Sequence, residues 1–160
     1  MEVSNKVSGV TYERDVARIT IRAVPDQPGV AATVFQPLSD ANISVDTIVQ
    51  NASAEHLTDL SFTIERNDLR SALDVTERIA NEIGAADCVS NDHLGQVSIV
   101  GTGMQNAPGV ASLMFTALSQ AGVNIEMITT SQIRITCIVD ESQIDAAVKA
   151  LHEAFGLDRS

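Results

Sequence analysis

Hydrophobic positions recur along this chain in two rhythms, and the rhythms alternate. Residues 17–24 (ARITIRAV) are a short run rich in β-branched side chains, as a strand is. A polar loop follows and ends in Pro28-Gly29, after which Val30, Val34 and Leu38 fall on one face of a helix. Residues 43–51 read as a second strand. Residues 60–65 read as a third, in which Leu60, Phe62 and Ile64 alternate with Ser61, Thr63 and Glu65. Leu69, Ala72, Leu73, Thr76, Ile79, Ala80 and Ile83 then line one side of a second helix, with Asn67 or Asp68 placed to cap it and Gly84 as a left-handed stop. Pro37 falls inside the first predicted helix, where a lost hydrogen bond and a clash cost about 3 kcal/mol. A kink or an early end is expected there.

The whole pattern occurs twice. Residues 28–51 (PGVAATVFQPLSDANISVDTIVQN) and 108–131 (PGVASLMFTALSQAGVNIEMITTS) align without gaps, with nine of 24 positions identical. The chain is therefore a tandem duplication. In the second copy the strand at 97–101 precedes a helix marked by Val110, Met114 and Leu118. Strands at 123–131 and 133–139 follow, the latter with Ile133, Ile135, Cys137 and Val139 on one face. A last helix runs from about 142 to 155, with Gly156 as its stop.

Each copy reads β-α-β-β-α, one strand short of a ferredoxin-like βαββαβ unit of the α+β class. The first copy finds that strand at 87–90, before a turn-like 91–95. The second copy has no chain left after its last helix, so the unassigned N-terminal segment 6–12 (KVSGVTY) is expected to complete it. The predicted organisation is a first domain at 16–92 inserted into a second at 93–158, the latter completed by strand 6–12.

Composition narrows the function classes. Apolar residues make up 44% of 160, enough for a core, while aromatics are 3% and Trp is absent. Aliphatic side chains must fill the interior. The net charge of −11 is the wrong sign for a phosphate-backbone binder, which argues against nucleic acid as a partner, and it disfavours anionic membranes. No 18-residue apolar run is present, and residues 1–9 have neither a basic start nor an apolar stretch, so a cytoplasmic location is expected. Cys88 and Cys137 each sit in an apolar run and are expected to be reduced core residues; with His56, His93 and His152 they form no clustered metal-ligand set. Gly101-Thr102-Gly103 is a fragment of a phosphate loop, but Asn106 breaks the GxGxxG spacing. No local motif marks a nucleophile or a general base. The expectation is no catalytic residue, no cofactor and no metal.

The informative local feature is the Pro-Gly loop. A helix start offers N–H groups that suit a carboxylate, such as that of a free amino acid. Its ammonium group then needs acceptors, and Asp26 before the loop and Asp46 after the helix are candidates. Gln50 and Asn51 are placed to read a small side chain. The second copy offers Asn106, Asn124, Glu126, Thr130, Ser131 and Gln132 in corresponding places. The plainer reading stands beside this one: Pro-Gly before a helix is commonly only a turn, with Asp26 a loop acid and Asp46 a solvated strand residue.

The segments PDQPGVAATVFQPLSDANISVDTIVQN, GQVSIVGTGMQNAPGVASLMFTALSQAGVNIEMITTSQIRI and AAVKALHEAFGLD resemble the tandem ACT domains of aspartate kinase. The resemblance covers 7–158 and is narrower still to the separate β subunit that carries this regulatory region in some bacteria. It implies a chain with no kinase domain of its own, which joins a catalytic α subunit and mediates feedback inhibition by threonine, often in concert with lysine. It further implies ACT units that pair sheets side by side, hence a homodimer when isolated, with amino acids bound at the interface. Effector contacts carried over by resemblance fall on Asp26, Gly29, Val30, Ala31, Asp46 and Gln50 in the first copy. In the second they fall on Val110, Ala111, Asn124, Ile125, Ser131 and Gln132. Gln132 stands where the family commonly has Glu, and Ala111 where some relatives have a hydroxyl; both departures point away from a cationic effector such as lysine. The alternative reading is a regulatory ACT subunit of another biosynthetic enzyme, such as acetolactate synthase.

Overall fold

The computed structural model describes residues 7–52, 55–104 and 107–157. The expected N-terminal segment begins at Lys6, and Asn106 and the outer bound at residue 158 likewise lie outside the described residues. The chain forms two compact units. One is Asp15–Asp92, and the other combines the residues up to Arg14 with those from His93 onward. The first is thus inserted into the second, and each is a mixed α+β unit.

The element order is β1 (Val7–Pro25), α1 (Val30–Asp40), β2 (Ile48–Ala52), β3 (Leu57–Glu65), α2 (Leu69–Ile83), β4 (Asp87–Gly101), α3 (Gly109–Gln120), β5 (Ile125–Thr130), β6 (Arg134–Asp140) and α4 (Ile144–Ala154). Short 3-10 turns, Arg66–Asp68 and Glu141–Gln143, lead into α2 and α4. Strand neighbours in the inserted unit run β2-β3-β1-β4, and in the split unit β1-β4-β6-β5. β3 is antiparallel to both β1 and β2, and β6 to both β4 and β5. β1 and β4 also run in opposite senses. Ser8 Oγ donates to the Val100 carbonyl in the split unit, and the Ala86 N–H donates to the Arg22 carbonyl in the inserted one.

Two pairs of expected strands are in fact single strands. The segments at 6–12 and 17–24 are parts of an unbroken β1, and those at 87–90 and 97–101 are parts of β4. The supposed turn at 91–95 is extended chain. Gly95 is there because β4 passes close to its neighbours: a Cβ would lie 2.7 Å from the Ile144 side chain and 2.9 Å from the Glu13 carbonyl oxygen.

Each unit has its own core. In the inserted unit Ile19, Ile21, Val34, Leu38, Leu60, Phe62 and Ile79 pack together; in the split unit Val97, Ile99, Met114, Leu118, Cys137, Ile144 and Leu151 do. The helical spacing of Val34 and Leu38, and of Val110, Met114 and Leu118, places these residues in the interior. Helix α1 does not end early at Pro37 but runs on to Asp40. Leu38 is fully buried beyond the proline, and the Ala41 and Ile43 N–H groups close the end onto the Pro37 and Leu38 carbonyls. Asn42, at φ 62°, makes the left-handed stop that Gly122 makes at φ 76° after α3. The chain then caps itself with buried Ile43 and Val123, which shortens the expected strands at 43–51 and 123–131 to β2 and β5.

Gly84 and Gly156 are the left-handed stops foreseen for α2 and α4. Asp68 occupies the N-cap of α2, but its side chain makes no capping bond because the preceding 3-10 turn already holds helical dihedrals. In the split unit the capping falls to Asp140, whose carboxylate accepts from the Ser142 N–H and hydroxyl. Those bonds, the hydroxyl's first, hold the Asp140 carboxyl below the usual range. Ile133 does not share a strand face with Ile135; it sits in the turn before β6, 58% exposed. Among the described residues no helix is long and apolar enough to cross a membrane.

Candidate functional site

The Pro-Gly loop of the inserted unit joins β1 to α1. Asp26 donates its N–H to the His56 carbonyl at 2.8 Å, which ties the loop to the β2–β3 connection. Gly29, at φ 89°, is the N-cap of α1 and brings no side chain to the helix start. The Val30 N–H turns back to Gln27 and the Thr33 N–H to Gly29. Helix geometry leaves the Ala31 and Ala32 N–H groups without an intrahelical carbonyl, and these are the groups an anion would meet. Asp26, three residues before Gly29 in the same loop, is exposed.

Strand register decides which other candidates join this cluster. Pro25 lies opposite Leu57, and Gln50 opposite Leu60, so Gln50 stands roughly 10 Å up the sheet from the loop row. Asp46 precedes β2, not within it as expected, and its N–H donates to the Thr63 carbonyl. Six residues of β3 separate Thr63 from Leu57, a rise of roughly 20 Å. Asp26 and Asp46 therefore mark opposite ends of the unit and do not share one ammonium group within it.

The split unit repeats this geometry. Val110 and Ala111 open α3, and the Gly101 N–H bonds the Ile133 carbonyl, so the β5–β6 turn carrying Ser131 and Gln132 lies at the same end. Ser131 Oγ accepts weakly from the Ile133 N–H at 3.4 Å. Asn124 and Ile125 lie at the far end, where Ile125 opposes Val139 and the Asn124 N–H donates to Gln143 Oε1. The two Pro-Gly sequences nevertheless differ in conformation. Gly29 is a left-handed cap outside α1, whereas Gly109 is the first helical residue of α3, behind Pro108.

Sequence reasoning did not single out three polar residues at the first loop, Gln27, Thr33 and Glu82. A groove of about 400 Å³ between the loop and the end of α2 is lined by Gln27, Gly29, Thr33 and Glu82 among others. Glu82 is remote in sequence, and its helical periodicity marks it only as solvent-facing. Among the described residues no group of three or more His, Cys, Asp and Glu could hold a metal. Both cysteines are free thiols, Cys137 fully buried and Cys88 partly so.

The comparisons with known proteins fit this repeat. The family description "ACT domain" matches residues 17–84 and again 97–155. An aspartate kinase of Stutzerimonas stutzeri (strain A1501) is 47% identical over 95% of this chain, and the chain spans 37% of that relative's length. Among solved structures, one described as aspartokinase alpha and beta subunits matches at TM-score 0.86 and 41% identity, covering 94% of this chain and 99% of that one. The ligand-free regulatory subunit of aspartate kinase from Thermus thermophilus matches at TM-score 0.88 and 39% identity, with the same coverages. Two ACT matches in phase with the internal repeat, and full-length likeness to a separate regulatory subunit, make this chain a member of the ACT-domain regulatory subunits of aspartate kinase.

Proposed function

We propose that this chain binds threonine at interfaces between ACT units of two copies and conveys feedback inhibition to an aspartate kinase catalytic subunit. One observation carries the reading: in each unit the candidate contacts include a loop-end group and a far-end group at opposite ends of the sheet, with Gln50 alone midway between them. Antiparallel pairing of edge strands from two copies sets the loop end of one unit against the far end of the other. The helix-start N–H groups and Asp26 then take the carboxylate and ammonium, while Asp46 or Asn124 comes from the facing unit. The edge strands are prepared for this. Ile48 on β2 and Ile128 on β5 are repeat-equivalent and are 51% and 45% exposed, although each lies opposite a core residue, Phe62 or Cys137. Backbone groups along such an edge find partners when a second strand pairs with it.

Two comparisons support the partner: the chain resembles one component of a structure of alpha and beta subunits, and relatives with a longer chain are whole aspartokinases. Lysine is expected to bind weakly, because Gln132 offers an amide oxygen and no full charge to a second ammonium group. A cytoplasmic location goes with this role.

Thermal melting and light scattering test the reading together. Threonine at a hundred times its dissociation constant stabilises the folded state by about 2.7 kcal/mol, which raises the melting temperature by roughly 5–11 °C. Scattering should give at least twice the 17.0 kDa chain mass. A monomer in saturating threonine contradicts the interface.

A further inference from the structure

The loop that would hold the effector is preceded by a break in β1 that the fold does not require. Ile21 pairs with Leu60 and Val24 with Thr58, so Arg22 and Ala23 together face Asp59 alone. This is a β-bulge, and bulges re-aim the chain that follows. Ala23 adopts φ 56°, a left-handed conformation that carries a steric cost for a residue with a Cβ. Asp59 Oδ1 accepts the Ala23 N–H at 2.9 Å, a group the regular ladder no longer pairs. On the other side Arg22 is held by β4: its Nε and Nη2 donate to the two Asp87 oxygens at 2.6 and 2.5 Å, and its carbonyl accepts the Ala86 N–H at 2.9 Å.

The split unit shows the same strand without the device. Glu65 and Asp140 each end the third strand of their unit and open a 3-10 turn, so six residues earlier Asp59 corresponds to Arg134. Arg134 pairs regularly with Val100, and the β4–β6 ladder has no bulge. Where a carboxylate is replaced by a cation, the bulge is gone. The bulge also resets the side-chain phase of β1. Ile19 and Ile21 face the core, and strict alternation would send Ala23 there next; instead Val24 is the fully buried residue. The loop from Pro25 to Gly29 therefore leaves the sheet in a phase set by residues 22–23.

We infer that Asp59 is a positioning residue for effector binding: by bonding the Ala23 N–H it holds the bulge that orients the Asp26–Gly29 loop. The inference rests on the reading of that loop as the effector site. The unmodified chain, Asp59→Ala, Asp59→Asn and Ala23→Gly are titrated with threonine by calorimetry, and amide exchange is followed at residues 23–30. Asp59→Ala weakens threonine at least tenfold and speeds exchange of the Asp26 amide. Asp59→Asn, whose side-chain oxygen still accepts, stays within threefold of the unmodified chain, and Ala23→Gly binds normally with a higher melting temperature. If Asp59→Ala does not fold, Ala23→Gly/Asp59→Ala removes the strain but not the defect, and it binds as weakly. Full affinity in Asp59→Ala or in that double variant, or equal weakness in Asp59→Asn and Asp59→Ala, overturns the inference. If the unmodified chain binds no threonine, the effector reading fails instead. Exchange then decides the bulge claim, which falls if Asp26 protection is unchanged in Asp59→Ala.

Discussion

Gly95→Ala puts the unbroken β4 to its sharpest test. An added Cβ would lie 2.7 Å from both Cδ1 and Cγ1 of Ile144 and 2.9 Å from the Glu13 carbonyl oxygen. Ile144 is fully buried at the start of α4, and the carbonyl belongs to the β1 backbone, so neither has open space to retreat into. Overpacking of this kind costs about 1–3 kcal/mol. At about 2–4 °C per kcal/mol for a chain of this size, the melting temperature should fall by about 2–12 °C. Denaturant and thermal melts followed by circular dichroism measure the loss, and a cycle with Ile144→Val locates it. Valine removes one crowding atom and alone costs about 0.5–1.5 kcal/mol. The added methyl then fills part of the vacated space, so the double variant should lose less than the sum by at least about 0.5 kcal/mol. A turn glycine would behave differently: its alanine penalty comes from backbone conformation and ignores Ile144. Strict additivity, or no loss in Gly95→Ala, would refute the packing argument.

Burial pushes the Cys137 thiol up to about 12 and raises that of Cys88, so a chromogenic thiol reagent at pH 8 should leave Cys137 untouched in the native chain, react slowly with Cys88, and titrate both after unfolding. Ser98 and Thr136 share a buried 2.6 Å hydroxyl hydrogen bond; Ser98→Ala or Thr136→Val alone should cost about 1–3 kcal/mol in denaturant titrations, and the pair together less than their sum. The Arg22 hydrogen bond lowers the Asp87 carboxyl, as the Ser142 hydroxyl lowers Asp140. Because unfolded carboxyls bind protons more readily, this stabilisation is complete above the ordinary carboxylate pKa of about 4 and disappears as pH falls through the lower folded values. Asp87→Asn should flatten that acid limb in a series of melts from pH 6 to pH 2.

The helices were legible because their signals are local. Apolar spacing marks Val34 and Leu38, and Gly84 and Gly156 end helices by a conformation other residues avoid. The insertion of one unit in the other followed from counting strands. What sequence hid depends on contacts between distant residues. Gly95 looks like a turn glycine until Ile144 and Glu13 are seen against it, and nothing in ARITIRAV distinguishes Ala23, at φ 56°, from its extended neighbours. The loop itself was visible as Pro-Gly before a helix. The separation of Asp26 from Asp46 was not, because it rests on the register of β3 with β1 and β2. Thr63 likewise departs from the expected alternation: it was placed on the polar side of β3 with Ser61 and Glu65, yet it is buried, its hydroxyl accepting the Thr47 N–H.

Calorimetric titration of the pure chain with threonine, lysine, methionine, isoleucine and valine in turn tests the central claim most directly. The account predicts saturable binding of threonine, weak heats from lysine, and a threonine affinity that falls when the exposed Asp26 carboxylate is removed in Asp26→Ala. That loss should be about 1.5–3 kcal/mol, the range for a hydrogen bond to a charged group. Saturable binding of valine with threonine silent, or no binding of any of the five by a folded chain, would contradict it.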